Sequence, residues 1–324
     1  MIVLPNCAVR EGLQPKIQLA EDLWALTEWP LELDDHWKGW LGSLEVERLE
    51  DPSLILITKG PSKNPDVLNA ESQEREALAS YLREGLLLAG WFAEWDRDSL
   101  ISGCNGKHGI RVQQYQRFER TQFVSAAPFH RIDEERILAA SSLVPSMMET
   151  RERGRYIRMK AAWRAFDTAM AARYIEDRLH QFVRCVEGFI YPEAGRTRRQ
   201  FKSRTELFVG TDRHDQMHEL FEIRCAVEHL HPAHSAIERG SQREGALVVF
   251  ERAVQAEAIA RYCIRRFLES EVVRRQFVDD AAISRFWSVD DDERREIWGA
   301  PLDLNAEMTC FKPDRLDDWE LGLA

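Results

Sequence analysis

The spacing of apolar residues changes near residue 130, from a mixture of patterns to a helical pattern that continues almost to the end of the chain. Before that point, residues 18–29 are helix-like, and residues 44–60 predict an alternating segment, a proline-containing turn and a short strand. Residues 72–92 predict a helix with a serine N-cap, and residues 103–124 predict a glycine-rich turn that leads into a strand. These patterns predict an α+β N-terminal domain over residues 1–130.

The second half of the chain predicts an all-α domain over residues 131–324. Apolar residues recur every three or four positions from 155 to 190, a length that favours a kink or two helices over one straight helix. Further helices are predicted over about 197–209, 213–230 and 243–270. Two short closing helices follow, the last with an aspartate start and a glycine stop. The chain as a whole therefore belongs to the α+β class.

The composition limits the number of domains, the cellular location and the state of the cysteines that we expect. The 324 residues, 44% of them apolar, suit two globular domains. We find no run of 18 apolar residues and no secretory leader pattern, so we expect a cytoplasmic protein with no membrane contact. The cysteines form no C-x-x-C pair, which favours reduced thiols over a disulfide framework or a zinc site. They are Cys7, Cys104, Cys185, Cys225, Cys263 and Cys310.

Charge is unevenly distributed along the chain. The net charge is −11, which argues against a protein coated all over with nucleic acid. Residues 1–100 hold nine Lys and Arg against nineteen Asp and Glu, whereas residues 151–210 hold fourteen against seven. A local basic zone on an acidic protein is compatible with the binding of a polyanion, or with the solvation of a long helix.

The run RCAVEHLHP, residues 224–232, places an arginine, a glutamate and two histidines near a predicted helix end. At 100° per residue, Glu228 lies about 40° and His231 about 20° around the helix from Arg224, so that one face can carry all three. His229 lies roughly 140° away, and it joins that face only if the helix distorts or ends before it. Pro232 favours such an ending.

Three segments carry a resemblance to a known family: FVRCVEGFIYPEAGRTRRQFKSRTELF (182–208), LFEIRCAVEHLHP (220–232) and AIARYCIRRFL (258–268). Together they resemble the HEPN superfamily, and most closely its Apea-like group of bacterial proteins, over roughly residues 155–300. The resemblance implies an HEPN-like helical bundle, usually dimeric, and a motif of Arg, four to six residues, then His. Both spacings occur here, from Arg224 to His229 and to His231. The chain differs from active members at Cys225, where they commonly have a polar residue.

The same resemblance implies metal-independent endoribonuclease activity without a cofactor, in bacterial stress response or phage defence. The residue types suit that chemistry, since a histidine can move protons at neutral pH when a ribose 2′-OH attacks the neighbouring phosphate. An arginine offers a charged, planar fork to the phosphate oxygens. We therefore assign catalytic roles to Arg224, His229 and His231, with Glu228 polarising a histidine. RNA and a second copy of the chain are the expected partners.

A basic segment is the candidate RNA-binding element. On a helix that begins near 197, Arg198, Lys202 and Arg199 share a side and would bind phosphates. The candidate RNA-binding residues are Arg196, Arg198, Arg199, Lys202 and Arg204.

Three alternatives stay open. Arg224 and Glu228 form a good helix ion pair, so the whole motif can be structural, and the domain can be an RNA-binding or dimerisation module without catalysis. A metal site can be drawn from His214 and His218 with the later histidines, although no H-E-x-x-H motif is present. The acidic N-terminal domain, with its tryptophans, suits a contact with a regulatory partner or a packed core. Those tryptophans are Trp24, Trp29, Trp37 and Trp40.

Overall fold

A computed structural model describes most of the chain as two compact units. The described residues are 1–5, 7–61, 69–90, 98–106, 109–118, 131–151, 154–237, 240–309, 311–321 and 323. Unit 1 holds the described residues up to 118 together with 131–145, and unit 2 holds those from 146 onward. The division falls next to Pro145, inside a helix.

Unit 1 contains an antiparallel sheet of six strands, in the order β2-β3-β4-β1-β5-β6. The strands are β1 (Ile2–Leu4), β2 (Lys16–Ala20), β3 (Leu23–Leu26), β4 (Leu54–Thr58), β5 (Ser99–Gly106) and β6 (Gly109–Arg117). The helices are α1 (Asp35–Leu41), α2 (Ser43–Glu50), α3 (Ala70–Ala89) and the first part of α4 (Glu134–Thr150). Strand β1 is central, and Val3 pairs with Ile55 on one side and Ser99 on the other.

Strand β1 and the first four residues of β4, at the centre of this sheet, are apolar and buried, because both faces are covered. Val3, Ile55 and Ile57 belong to a buried cluster that also holds Leu49 of α2. Helix α3 packs against β4 and β1 and buries an apolar stripe that includes Leu82 and Leu86. The central strands are therefore continuous hydrophobic runs, and they do not alternate.

Unit 2 is helical throughout its described residues. Its helices are α5 (Ile157–Ala171), α6 (Ile175–Ile190), α7 (Thr197–Arg204), α8 (Glu206–Val209), α9 (His214–Glu228), α10 (Gln242–Glu269), α11 (Glu271–Gln276), α12 (Asp280–Ser288), α13 (Asp291–Trp298) and α14 (Leu304–Met308). Helix α6 packs on α5, α9 and α10, and so lies at the centre of the unit. Gly188 lets α5 and α6 approach closely, since a Cβ built there would lie 2.6 Å from the Cβ of Ala162.

The interior of unit 2 contains large aromatic side chains and one buried ionic group. Phe189, Phe267 and Trp298 are fully buried and pack edge to face. Arg178 on α6 and Arg261 on α10 both pair with Glu257, which has no exposed surface. Burial lowers the pKa of Arg178 to about 10, and the charge of Glu257 opposes that shift. This ionic group links α6 to α10 and so fixes the position of α6 along α10.

The prediction of an α+β chain is confirmed, but some elements of the first half were predicted wrongly. Residues 18–29 hold the β2–β3 hairpin and no helix, and residues 43–50 form helix α2 in place of an alternating segment. Leu19, Leu23 and Leu26 have helical spacing, but the pairing of β3 with β4 decides their conformation. Helix α3 and strand β4 are confirmed, with Asn69 as the N-cap and not a serine. Residues 91–92, 107–108 and 119–124 of the predicted elements lie outside the described residues.

Most helical predictions for the second half are confirmed, but the predicted helix over 197–209 is two helices, α7 and α8, and the first closing helix is also two, α11 and α12. The long stretch from 155 to 190 is two helices, α5 and α6, and Asp290 and Gly299 bound α13 as predicted. Five of the six cysteines are free thiols, and Cys310 is outside the described residues. In the part of the chain that the structure describes, no helix has both the length and the apolar character to cross a membrane.

Candidate active site

The RCAVEHLHP run forms the end of α9 and the turn that follows it. The helix ends at Glu228 with His229 as its C-cap, two residues earlier than predicted. Leu230 has a φ of 60°, and its N–H donates to Val227 O while the N–H of His231 donates to Ala226 O. This pair of bonds is a Schellman motif, which reverses the chain and satisfies two terminal carbonyls.

This ending separates the two histidines from the arginine. His231 lies beyond the reversal, so the prediction that it shares a helix face with Arg224 and Glu228 is wrong. His229 and His231 are exposed, and within the described residues no hydrogen bond or ion pair joins either side chain to Arg224. Leu230 between them is 93% exposed. Both imidazoles are therefore accessible to a ligand in solvent.

Arg224 lies in a half-buried polar cluster between α9 and α6. Its Nη2 atom is 3.5 Å from Glu187 Oε2 and 3.6 Å from Glu228 Oε2. The Arg224–Glu228 pair joins residues one helical turn apart, as the sequence predicted. The Nε atom of Arg224 and Oε1 of Glu187 are buried and have no hydrogen-bond partner among the described residues. The cluster thus contains a buried donor and a buried acceptor that the protein leaves unused.

Helix α6 supplies two residues that the sequence analysis missed, His180 and Glu187. They are seven positions apart and so lie on one face of the helix. His180 Nε2 is 2.5 Å from Glu228 Oε2, the oxygen that also faces Arg224. Because an ionised carboxylate only accepts, Nε2 of His180 carries the proton in this bond.

A pattern in α6 points to these two residues. His180, Arg184 and Glu187 form a polar stripe beside the buried positions Leu179 and Val183. Arg184 of this stripe is exposed, whereas His180 and Glu187 contact α9, which packs against α6. The sequence gives the stripe but does not say which helix faces it.

The pKa values of the two carboxyl groups in this cluster, Glu187 and Glu228, are shifted in opposite directions. Burial raises the pKa of Glu187, and the nearby charges of Arg224, Arg184 and His180 oppose that shift. The hydrogen bond from His180, followed by the charge of Arg224, lowers the pKa of Glu228. Carboxyl groups with opposed shifts are typical of acid–base sites. Here Glu228 stays ionised and orients His180, while Glu187 holds a proton to higher pH than a free glutamate.

Cys225 is next to Arg224 and is not suited to nucleophilic chemistry. Burial raises the pKa of its thiol, and the charge and hydrogen bond of Arg224 oppose the shift. The thiol is therefore protonated at neutral pH, and a thiol is a weak nucleophile compared with a thiolate.

The candidate RNA-binding residues divide into separate groups. Arg198 pairs with Glu222 of α9 at 2.9 Å and hydrogen bonds to His218. Arg204 is mostly buried, and its Nη1 donates to the carbonyls of Ile190 and Tyr191 at the end of α6. The guanidinium of Arg204 therefore caps the end of α6, and its predicted contact with RNA stays a prediction.

The other three candidate RNA-binding residues, Arg196, Arg199 and Lys202, differ in exposure and in pairing. Arg196 is exposed and pairs with Glu193, and Arg199 is exposed with no hydrogen bond or ion pair in the described chain. Lys202 is half-buried on the same helix. Arg196 and Arg199 line a cavity that Lys202 does not reach.

The histidines that suggested a metal site have other partners. His214 pairs with Glu206, and His218 lies 3.8 Å from Glu222. Among the residues that the structure describes, no group of three or more His, Cys, Asp or Glu side chains is placed to hold a metal ion.

Comparisons with known proteins do not add to this description. No protein-family model, curated protein or solved structure matches the chain. A function for the protein must therefore be argued from its own residues.

Proposed function

We propose that this protein is a metal-independent endoribonuclease of the HEPN type, which cleaves RNA by attack of a ribose 2′-OH on the adjacent phosphate. The observation that carries the proposal is the α6–α9 cluster. In it an arginine with an unused buried N–H lies between two carboxyl groups whose pKa values are shifted in opposite directions, and two exposed histidines follow it by five and seven residues, past the end of α9. Phosphate chemistry near neutral pH uses groups of this kind.

In the proposed cleavage step, His229, His231 and Arg224 act on the phosphate that is attacked. An exposed imidazole, His229 or His231, takes the proton of the 2′-OH as its oxygen bonds to phosphorus. The P–O5′ bond then breaks, and a second imidazole gives a proton to the departing 5′ oxygen. The products are a 2′,3′-cyclic phosphate and a 5′-OH end. Arg224 would stabilise the charge that builds on the phosphate oxygens.

His180 and Glu228 act through Arg224 in this scheme. Glu228 accepts from His180 and faces Arg224 through the same oxygen, so the pair positions the guanidinium. Glu187 holds it from the other side. These three are positioning residues, whereas Arg224, His229 and His231 are the groups that would touch RNA.

A second copy of the chain and a cytoplasmic setting complete the proposal. Because the resemblance implies a dimer, two copies of the 224–231 segment would line one cleft and supply both imidazoles for acid and base steps. We place the reaction in the bacterial cytoplasm, in stress response or phage defence, with unit 1 as the contact for a regulatory partner. In unit 1, Trp40 is 62% exposed and stacks edge to face on Tyr115, which suits such a contact.

The test is cleavage of total bacterial RNA by the purified protein in EDTA, with the ends of the products identified. We expect cyclic phosphate and 5′-OH ends from the wild type. The variant His229→Ala/His231→Ala should lose on the order of 10²-fold or more in rate, and Arg224→Lys a similar amount. Matched controls are His36→Ala and Arg275→Lys, both exposed residues outside the cluster, which should cleave at the wild-type rate.

A second candidate function is a module with the same fold that binds RNA or dimerises without catalysis. Cys225 in the motif and the two carboxylates around Arg224 favour a module that binds RNA or dimerises without cutting. RNA binding without cleavage in any buffer would support that module. Cleavage that survives both site variants would show that the residues are assigned wrongly.

A further inference from the structure

A cavity of about 570 Å³ lies in unit 2 between α7, α8 and α12–α13. Five arginines line it, together with the indole of Trp287: Arg196, Arg199, Arg204, Arg294 and Arg295. The lining also includes two carboxylates, Glu206 and Asp291, of which Asp291 pairs with Arg294, so the arginines outnumber the acidic side chains. A volume of this size is in the range of small-ligand sites, which extends from about 300 to 1,000 Å³.

The floor of the cavity is rigid. Arg204 and Arg294 lie against the ring of Trp287, with their Cζ atoms 4.9 Å and 5.6 Å from its centroid. The indole Nε1 donates to Phe189 O at 3.0 Å, and Arg294 donates to Trp287 O at 3.1 Å. The two guanidiniums are therefore fixed before any ligand arrives, and a preorganised site loses little entropy on binding.

The arginines at the rim of the cavity are exposed and can bind a ligand. Arg199 is exposed, and the described residues give it no ion pair or hydrogen bond. Arg196 and Arg295 are 69% and 57% exposed, and in the described part of the chain each pairs with one neighbouring surface carboxylate. Pairs of that kind are worth about 0–1 kcal/mol, so a ligand can displace them.

Packing alone does not explain why these charges converge. Arg204 and Arg294 contribute to structure by binding carbonyls, but the rim arginines contact little of the interior. Burial lowers the pKa of Arg204, Glu193 opposes that shift, and the charge of Arg294 adds to it. Guanidiniums that repel one another inside a cavity are stabilised by an anion placed between them.

We propose that this arginine cavity binds the phosphate groups of a nucleotide that carries two or more phosphates. Guanidinium forks match phosphate oxygens two at a time, and the three rim arginines can offer such forks to more than one phosphate. Arg204 and Arg294 already donate to carbonyls and, for Arg294, to Asp291, so they contribute positive charge at the floor of the cavity. The source is a free nucleoside polyphosphate or the 5′-triphosphate end of an RNA, which share this chemistry. The proposal does not depend on RNA cleavage, since none of the cavity arginines belongs to the α6–α9 cluster.

The test measures binding to the full chain by calorimetry at fixed salt, with four probes. These are inorganic pyrophosphate, ATP, an RNA oligomer with a 5′-triphosphate, and the same oligomer with a 5′-OH. We expect pyrophosphate to bind, with either ATP or the triphosphate RNA binding more tightly and so identifying the source. The variant Arg199→Gln/Arg295→Gln should weaken pyrophosphate by about tenfold or more, because each charged hydrogen bond to a ligand is worth that order of affinity.

Three variants separate this proposal from its alternatives. Asp291→Asn removes a negative charge from the lining and should tighten pyrophosphate several-fold. Arg275→Gln makes the same charge change on a distant, 72% exposed arginine and should leave its affinity unchanged. Arg224→Lys should also leave it unchanged, so that failure of the nuclease proposal can be distinguished from failure of this one.

Two results would overturn the proposal. One is the absence of pyrophosphate binding by the wild type, with circular dichroism showing a folded helical protein. The other is equal weakening by Arg275→Gln and by Arg199→Gln/Arg295→Gln, with the 5′-OH oligomer bound as tightly as the triphosphate form, which would show only nonspecific attraction of a polyanion.

Discussion

Replacing Arg224 with alanine should make the stability of unit 2 depend on pH through Glu187. The wild-type guanidinium lies 3.5 Å from Glu187 and opposes the effect of burial on that carboxyl group. Without it, Glu187 remains 16% exposed among packed helices, and the described residues give it no other ion-pair partner. Its pKa, already raised by burial, should rise further.

The size of the effect follows from the burial of the pair. Breaking a buried ion pair costs about 3–5 kcal/mol and breaking an exposed one about 0–1 kcal/mol. The side chains here are 20% and 16% exposed, and the atoms are near the limit of an ion pair, so we expect an intermediate value. The expected loss is about 1–3 kcal/mol at neutral pH, which for a unit of this length lowers Tm by roughly 2–12 °C.

The stability of the Arg224→Ala variant should fall, relative to the wild type, as pH rises. A glutamate whose pKa is higher in the folded state binds more protons there than in the unfolded chain, so stability falls as pH rises through that interval. The interval begins near the ordinary pKa of about 4.3 and is wider in Arg224→Ala than in the wild type. Glu228 acts in the same direction but at lower pH, because Arg224 helps to lower its pKa and the resulting stability is lost only as pH falls below the ordinary value. The stability difference between variant and wild type should therefore grow from about pH 4.5 to neutral.

The assay is thermal or urea unfolding followed by tryptophan fluorescence, at about pH 5 and at neutral pH. Adding Glu187→Gln to Arg224→Ala should restore on the order of 1 kcal/mol at neutral pH, because an amide needs no cation. Arg265→Ala, which breaks an exposed i, i+4 pair in α10, is the control and should have little effect at either pH. Equal destabilisation at both pH values, without rescue by Glu187→Gln, would refute the role of this ion pair.

Three further predictions concern the same region. His180→Ala and Glu228→Gln should lower the RNA cleavage rate to similar extents, and the double variant should be no slower than either, because the two residues act as one unit; additive losses would contradict this. Leu230→Gly should raise Tm by an amount equivalent to about 1 kcal/mol, since the exposed leucine has a φ of 60°, whereas Leu230→Ala should leave Tm unchanged. Gly188→Ala should destabilise unit 2 by about 1–3 kcal/mol in urea unfolding, because its methyl group meets Ala162; an unchanged midpoint would show that α5 and α6 can move apart.

The sequence predicted the helical half better than the first half for a local reason. A helix satisfies its backbone within one segment, so the spacing of apolar residues and the caps of α13 were enough to define it. The β2–β3 hairpin depends on β4, which is about thirty residues further along the chain, and no local pattern at 18–29 contains that information.

The candidate site shows the same limit. The sequence by itself determined Arg224 and Glu228 as neighbours one turn apart, and two histidines near a helix end marked by Pro232. Only the tertiary structure decided that α6 faces α9 and brings Glu187 into contact with Arg224. The physical reason is that spacing along a helix fixes which side chains share a face, whereas the partner of that face is chosen by packing between segments distant in sequence.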